Sequence, residues 1–141
     1  MSIRSTHSVL LADAHQGMTE GIRNLLATTF GTVAMVADEA SLFECASRLN
    51  CDVLVVDLAL SSGDCLDFIR RLRNRFPKIK LIVMSAHAES RISDAVMSLG
   101  ADAFVLRRAI AHDLLAASDA VFTGIPYVSP SVMSDQQREQ R

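Results

Sequence analysis

The chain has no tryptophan, one tyrosine and six phenylalanines among 141 residues, which excludes a core built mainly on large aromatic side chains. Half of the residues are still hydrophobic. That apolar content is mostly aliphatic, which suits packed helices and strands rather than a disordered chain. The three cysteines, Cys45, Cys51 and Cys65, are odd in number and form no CxxC pair. A disulfide frame and a cysteine zinc site are therefore not expected, and the thiols read as small apolar groups in a reducing compartment. The formal net charge is only −2, so neither nucleic acid nor an anionic membrane is expected as a direct partner. No apolar run is long enough to cross a bilayer, and Val9 to Ala12 is far too short for a signal peptide. Repeats and low-complexity tracts are absent as well. What remains is one domain with a single real core, expected to be soluble and cytoplasmic.

Alternation is what the chain has in their place. The short apolar runs SVLLA (8–12), TVAMVA (32–37), DVLVVD (52–57), KLIVMS (80–85) and AFVL (103–106) predict five strands. Between them apolar residues recur at helical spacing. Met18, Ile22, Leu25 and Leu26 mark a first helix that Gly31 stops, and Leu42, Cys45, Ala46 and Leu49 share one face of a second. A third carries Leu66, Ile69, Leu72 and Phe76, with Asp64 as its N-cap and Pro77 as its stop. Ile92, Ala95, Val96 and Leu99 form a fourth up to Gly100, and Leu114, Leu115, Ser118 and Val121 line a fifth. Strands alternating with helices of about 10 to 15 residues predict an α/β fold of βαβ units. The expected form is a doubly wound five-stranded parallel sheet, order 2-1-3-4-5, with helices on both faces. Residues 1–125 are read as the domain and 126–141 as a linker or tail, because the chain after Thr123 is turn-rich and then polar.

In such a sheet the ligand crevice lies beyond the carboxyl ends of the strands, at the switch point between the first and third. The residues closing those strands are Asp13, Asp57, Ser85 and Arg107. The stretch DVLVVDLALSSGD (52–64) sharpens the point, since an apolar run ends there on a lone carboxylate. A carboxylate is costly to desolvate without partners. Asp57 is then either a cap on the following loop or part of a site that uses its charge.

Four pieces, LLADAH (10–15), VLVVDLAL (53–60), LIVMSAHAE (81–89) and GADAFVLRR (100–108), together resemble the receiver domain of two-component response regulators. Their order and spacing fit that family over roughly residues 8 to 125. The resemblance is to receivers of the NarL/FixJ type, whose helix-turn-helix output domain follows a tail much like GIPYVSPSV (124–132). It implies a signalling module, not an enzyme, that takes a phosphoryl group from a histidine kinase or phosphotransfer protein. It further implies homodimerisation through the fourth helix, fifth strand and fifth helix. DNA would be reached only through an output domain absent from this chain.

The same resemblance assigns roles. Asp57 is the phosphoacceptor position, and Asp13 completes the acidic pocket. Mg²⁺ would be held by Asp13, Asp57 and the backbone carbonyl of Ala59, since it demands oxygen ligands. Ser85 matches the hydroxyl that bonds a phosphoryl oxygen, and small Ala86 leaves room beside it. Phe104 matches the aromatic whose rotamer reports the switch, and Arg107 stands where the family carries lysine. Two positions depart from the pattern. The usual acidic pair after the first strand is Asp13-Ala14, and the lysine is replaced by an arginine fork suited to clamping carboxylates. Two acids against one guanidinium leave the pocket at −1, where three acids against one lysine give −2. Weaker Mg²⁺ binding, an Arg107–Asp57 pair and impaired phosphotransfer are the expected results. The alternative function is then a phosphorylation-independent pseudo-receiver, an interaction or dimerisation module.

Simpler readings stand beside these. Asp13 can cap the first helix, Ser85 can make a loop hydrogen bond, Phe104 can be ordinary core, and Arg107 can pair with Asp102 or another surface acid. His15 and His87 fall at the crevice and read as loop histidines rather than metal ligands. The basic run RRLRNRFPKIK (70–80) reads as the solvated face of an amphipathic helix, with an acidic partner as the minority view. DAHQGM (13–18) also approaches the DxHxxG of cobalamin-binding domains, with Gly17 one position early.

Overall fold

The strand ends meet as the alternation predicts. The computed structural model describes residues 6–132. Its elements are β1 (Ser8–Ala12), α1 (Gln16–Ala27), β2 (Thr32–Val36), α2 (Glu39–Arg48), β3 (Val53–Asp57), α3 (Cys65–Arg75), β4 (Lys80–Ser85), α4 (Ser90–Ser98), β5 (Ala103–Leu106), α5 (Ile110–Phe122) and β6 (Tyr127–Val128). Short 3₁₀ turns follow β3 and β5, at Leu58–Leu60 and Arg107–Ala109. The sheet runs β2-β1-β3-β4-β5-β6 and every pairing is parallel.

The period of two along each strand divides the core into two layers. Leu10, Leu54, Val56, Leu81, Val83 and Phe104 face α2, α3 and α4, where Leu42, Phe68, Ile69, Leu72 and Val96 meet them. Val9, Leu11, Val53, Val55, Ile82 and Met84 face the other way, onto Ile22 and Leu26 of α1 and Leu114, Ala117 and Val121 of α5. Each fully buried aliphatic side chain contributes about 1.5–3 kcal/mol. β3 is buried along its whole length, which is why its sequence is apolar without alternation up to the carboxylate that ends it, Asp57.

Asp64 caps α3 as expected, accepting from the Leu66 and Asp67 amides at 2.9 and 3.4 Å. At the foot of the sheet Arg73 is drawn inward from the basic run. Its Nε donates to Gly100 O at 2.9 Å and its Nη1 to the carbonyls of Phe76, Pro77 and Ile79 at 3.1, 3.1 and 2.8 Å. Its Nη2 meets Asp102 Oδ2 at 2.9 Å, and that oxygen also accepts from the Leu81 amide at 2.9 Å. Gly100 has φ +110°, and a Cβ there would lie 2.8 Å from Arg73 Cγ, so the turn after α4 needs glycine twice over.

Several expectations are corrected. Arg73 is not part of a solvated face; it sits in phase with Ile69, Leu72 and Phe76. Asp102 is taken by Arg73, so it is not the partner of Arg107. Leu49 caps the C-terminus of α2 and is 44% exposed, and Met18, in the first turn of α1, is 45% exposed, because both lie at helix ends where the apolar stripe leaves the core. The sheet has a sixth strand where five were expected, and Tyr127–Val128 falls in the segment read as a tail. Two residues between Pro126 and Ser129 are too few for any period to be read. Residues 133–141 of that tail lie outside the described residues. Among the described residues no helix is long and apolar enough to cross a membrane.

Candidate functional site

The register of the central strands pairs Ala12 with Val56 and Asp57 with Met84, so Asp13, Asp57 and Ser85 emerge together at the mouth of the sheet. Asp13 and Asp57 are 2% and 1% exposed, and Arg107, on the turn after β5, reaches across with 8% exposed. Its Nη1 bonds Asp57 Oδ2 and lies 3.3 Å from Asp13 Oδ1, while its Nη2 bonds Asp13 Oδ2 at 3.1 Å. One guanidinium thus grips both carboxylates, and Met18 Sδ caps it at 3.6 Å from Nη2.

The remaining lone pairs are engaged locally. Asp13 Oδ1 accepts from the His15 amide at 3.0 Å and faces His15 Nδ1 at 3.0 Å, and Thr19 Oγ1 approaches Oδ2 at 3.3 Å. Asp57 Oδ1 accepts from the Ala59 amide at 2.6 Å, so this residue is both a cap and a site residue. Burial pushes the Asp13 carboxyl up, but the His15 amide, the His15 ring and the Arg107 guanidinium outweigh it and hold the group below its ordinary value.

Other predicted residues are placed differently. Ser85 is buried, and its hydroxyl accepts from the His87 amide at 2.9 Å, the loop hydrogen bond of the simpler reading. Ala86 is exposed beside it. Phe104 is fully buried in the core layer beside Val83, which is the inward position. His15 joins the crevice, 3.6 Å from Asp57 Oδ2, whereas the His87 ring faces Glu89 at 3.9 Å. The bond from Arg107 to Asp13, and the parts played by Met18 and Thr19, were not expected. His15 was signalled by its place two residues after Asp13, the spacing at which an Asp side chain turns back onto the amide ahead.

Asp13, His15 and Asp57 bring ligand atoms within 4.8 Å of one another. Mg²⁺ requires several oxygens in a near-octahedral shell. Here the carboxylate oxygens facing the crevice are engaged by Arg107, the third group is an imidazole, and Ala14 offers no side-chain oxygen. As arranged, this donor set does not fit Mg²⁺.

The two strand-end acids thus stand at the switch point of a doubly wound parallel sheet, the place where such folds build their sites. The chain belongs to the response regulator receiver domain family, whose model matches residues 9–119. It is 28% identical over 135 residues to the transcriptional regulatory protein DegU of Brevibacillus brevis, covering 94% of this chain and 57% of that protein. It is 31% identical over 126 residues to the nitrate/nitrite response regulator protein NarP of Escherichia coli, covering 88% and 59%. Among solved structures, the RcsB response regulator of Salmonella typhimurium superposes with TM-score 0.85 at 26% identity, covering 97% of this chain and 69% of that one. The isolated receiver domain of RcsB with the phosphomimetic BeF₃⁻ gives 0.80 at 26% identity, covering 90% and 96%. These relatives bear out the NarL/FixJ-type resemblance, and the chain spans 57% to 60% of the length of the curated proteins it matches. The receiver family match over residues 9–119 replaces the cobalamin reading of DAHQGM.

Proposed function

We propose that this chain is the regulatory half of a longer transcription regulator, with Asp57 at its phosphoacceptor position and phosphotransfer impaired by Arg107. The single observation that carries this reading is the guanidinium bonded to both Asp57 and Asp13. For phosphotransfer, a carboxylate oxygen of Asp57 must attack the phosphorus of a phosphohistidine while the P–N bond breaks. That oxygen must first leave Arg107, and a divalent cation needs the same lone pairs. The cost of displacing the guanidinium from this buried pair opposes both. The module then signals by protein contacts and is not an enzyme in the turnover sense. A histidine kinase or phosphotransfer protein remains its partner to whatever extent phosphorylation persists. A second copy is expected on the α4, β5 and α5 face, and DNA through an output domain outside this chain. The ion pair that already occupies the acceptor favours the phosphorylation-independent variant of this reading.

Incubation with Mg²⁺ and a small phosphodonor, followed by intact mass, tests the impairment. No phosphoryl gain is expected for the wild type. The double variant Ala14→Asp with Arg107→Lys is expected to gain one group at Asp57. A clear gain by the wild type overturns the impairment.

A further inference from the structure

Asp113 is a buried carboxylate that the crevice does not use. It lies in the first turn of α5 and is 4% exposed. Its position favours the α5 dipole, but that role needs no burial. Its partners explain the burial. Oδ1 accepts from the Tyr127 hydroxyl at 3.1 Å and Oδ2 from Ser129 Oγ at 2.8 Å. Ser129 Oγ in turn accepts from the Leu106 amide at 3.0 Å, and Ser129 is 2% exposed. A directional relay therefore runs from the last amide of β5, through one hydroxyl, to a carboxylate on α5.

The relay seats the segment that follows the domain. Gly124, at φ +76°, reverses the chain out of α5. Beyond it the Tyr127 amide donates to Asp102 O at 3.3 Å and the Ser129 amide to Phe104 O at 2.9 Å, while Arg108 Nη2 lies 3.4 Å from Ser131 O. Tyr127 and Val132 pack against the two core layers, but the rest of the segment has little apolar hold. Ile125 and Val128 are 61% and 39% exposed, and a hollow of about 210 Å³ between Met97, Ala101, Val121 and Ile125 is left beside its start. A two-residue strand with so little buried surface depends on its polar seat.

We propose that residues 125–132 form a strap seated on Asp113, and that the Leu106–Arg107 peptide couples the seat to the crevice. The physical basis is adjacency. Leu106 gives its amide to Ser129, and the next residue, Arg107, gives its side chain to Asp57 and Asp13. A guanidinium that leaves the carboxylates shifts the turn that starts at Arg107, and the relay is one peptide bond away. The strap is thus a two-state element through which the chain leaving the domain reads the state of the site, whether a phosphoryl group or a partner protein changes it.

Amide hydrogen exchange on the full chain tests both halves. In the wild type the Leu106, Tyr127 and Ser129 amides are expected to exchange slowly. Ser129→Ala orphans the Leu106 amide and one Asp113 oxygen, and is expected to speed exchange of the strap about 10- to 100-fold. Asp113→Asn has the same direction, Ser129→Thr restores protection, and the β1 and β3 amides stay protected as the control for folding. Arg107→Ala, or Arg107→Lys should the first not fold, is expected to change Ser129 exchange several-fold. Strap amides at the open-chain rate in the wild type, or indifferent to Ser129→Ala and Asp113→Asn, overturn the seat. Strap amides indifferent to the folded Arg107 variant overturn the coupling.

Discussion

Arg73 at the foot of the sheet and Arg107 at its mouth are both drawn inward at strand ends, with side chains 17% and 9% exposed. Arg73 spends its donors chiefly on backbone carbonyls where α3 and α4 end, with a single carboxylate, Asp102, beside them. These carbonyls lie on the turns that follow the two helices, and a five-donor fork satisfies several at once. Arg107 spends its fork on two carboxylates. Neutral carbonyls gathered by one fork make a joint that nothing else is built to occupy. A pair of anions makes a site that another cation can contest. Position in the sheet thus makes the same side chain a structural clamp at one end and, on the function proposed above, a gate at the other.

The comparison can be broken most forcefully at Arg107. Arg107→Ala leaves two buried carboxylates side by side and is expected to lower stability by about 3–5 kcal/mol in denaturant unfolding without divalent ions. Millimolar Mg²⁺ should return part of that loss, while the wild-type midpoint stays where it is. Equal Mg²⁺ effects on both proteins would erase the distinction between clamp and gate. Arg73→Ala takes the donor from several carbonyls and leaves Asp102 with the Leu81 amide alone at a partly exposed joint, with an expected loss of about 1–3 kcal/mol. No added cation should restore it. Gly100→Ala presses a Cβ onto Arg73 at a positive φ and should cost about 1 kcal/mol, visible as a lower thermal midpoint.

The smallest effect is expected in the acid limb of the stability curve. Asp13 has its folded pKa lowered, so its contribution is present above the unfolded value and is lost as pH falls through the folded one. Asp13→Asn should flatten the decline of the denaturant midpoint below the ordinary aspartate range. Asp38, also lowered by its bonds to the Ser41 amide and hydroxyl, leaves a residual slope in that variant. An unchanged acid limb would mean that Asp13 is not held as the geometry indicates.

How much of this was legible in the sequence follows from the range of the signals. The parallel sheet was readable because each strand is apolar on its own, and parallel topology alone brings residues 13, 57, 85 and 107 to one edge. The bond between Arg107 and Asp57 was readable from charge and fork geometry. Arg73 was hidden in a run of like residues, although its phase with Ile69, Leu72 and Phe76 carries the signal. The Ser85 hydroxyl turned to the His87 amide, a local bond that family resemblance does not predict. The sixth strand was not readable, because its seat is a contact between Ser129 and residues 16 and 23 positions away.

The fork on Asp57 also bears on how such a crevice can change over generations. An acid introduced at Ala14 while Arg107 remains adds charge beside carboxylates already satisfied, with no ion to reward it. A lysine introduced at 107 while Ala14 remains loosens one carboxylate without supplying the ligand a metal lacks. Each single step is expected to be uphill and the double step not, which would lock the two positions to one another. A double-mutant cycle across Ala14 and Arg107 would read that lock directly as a coupling energy.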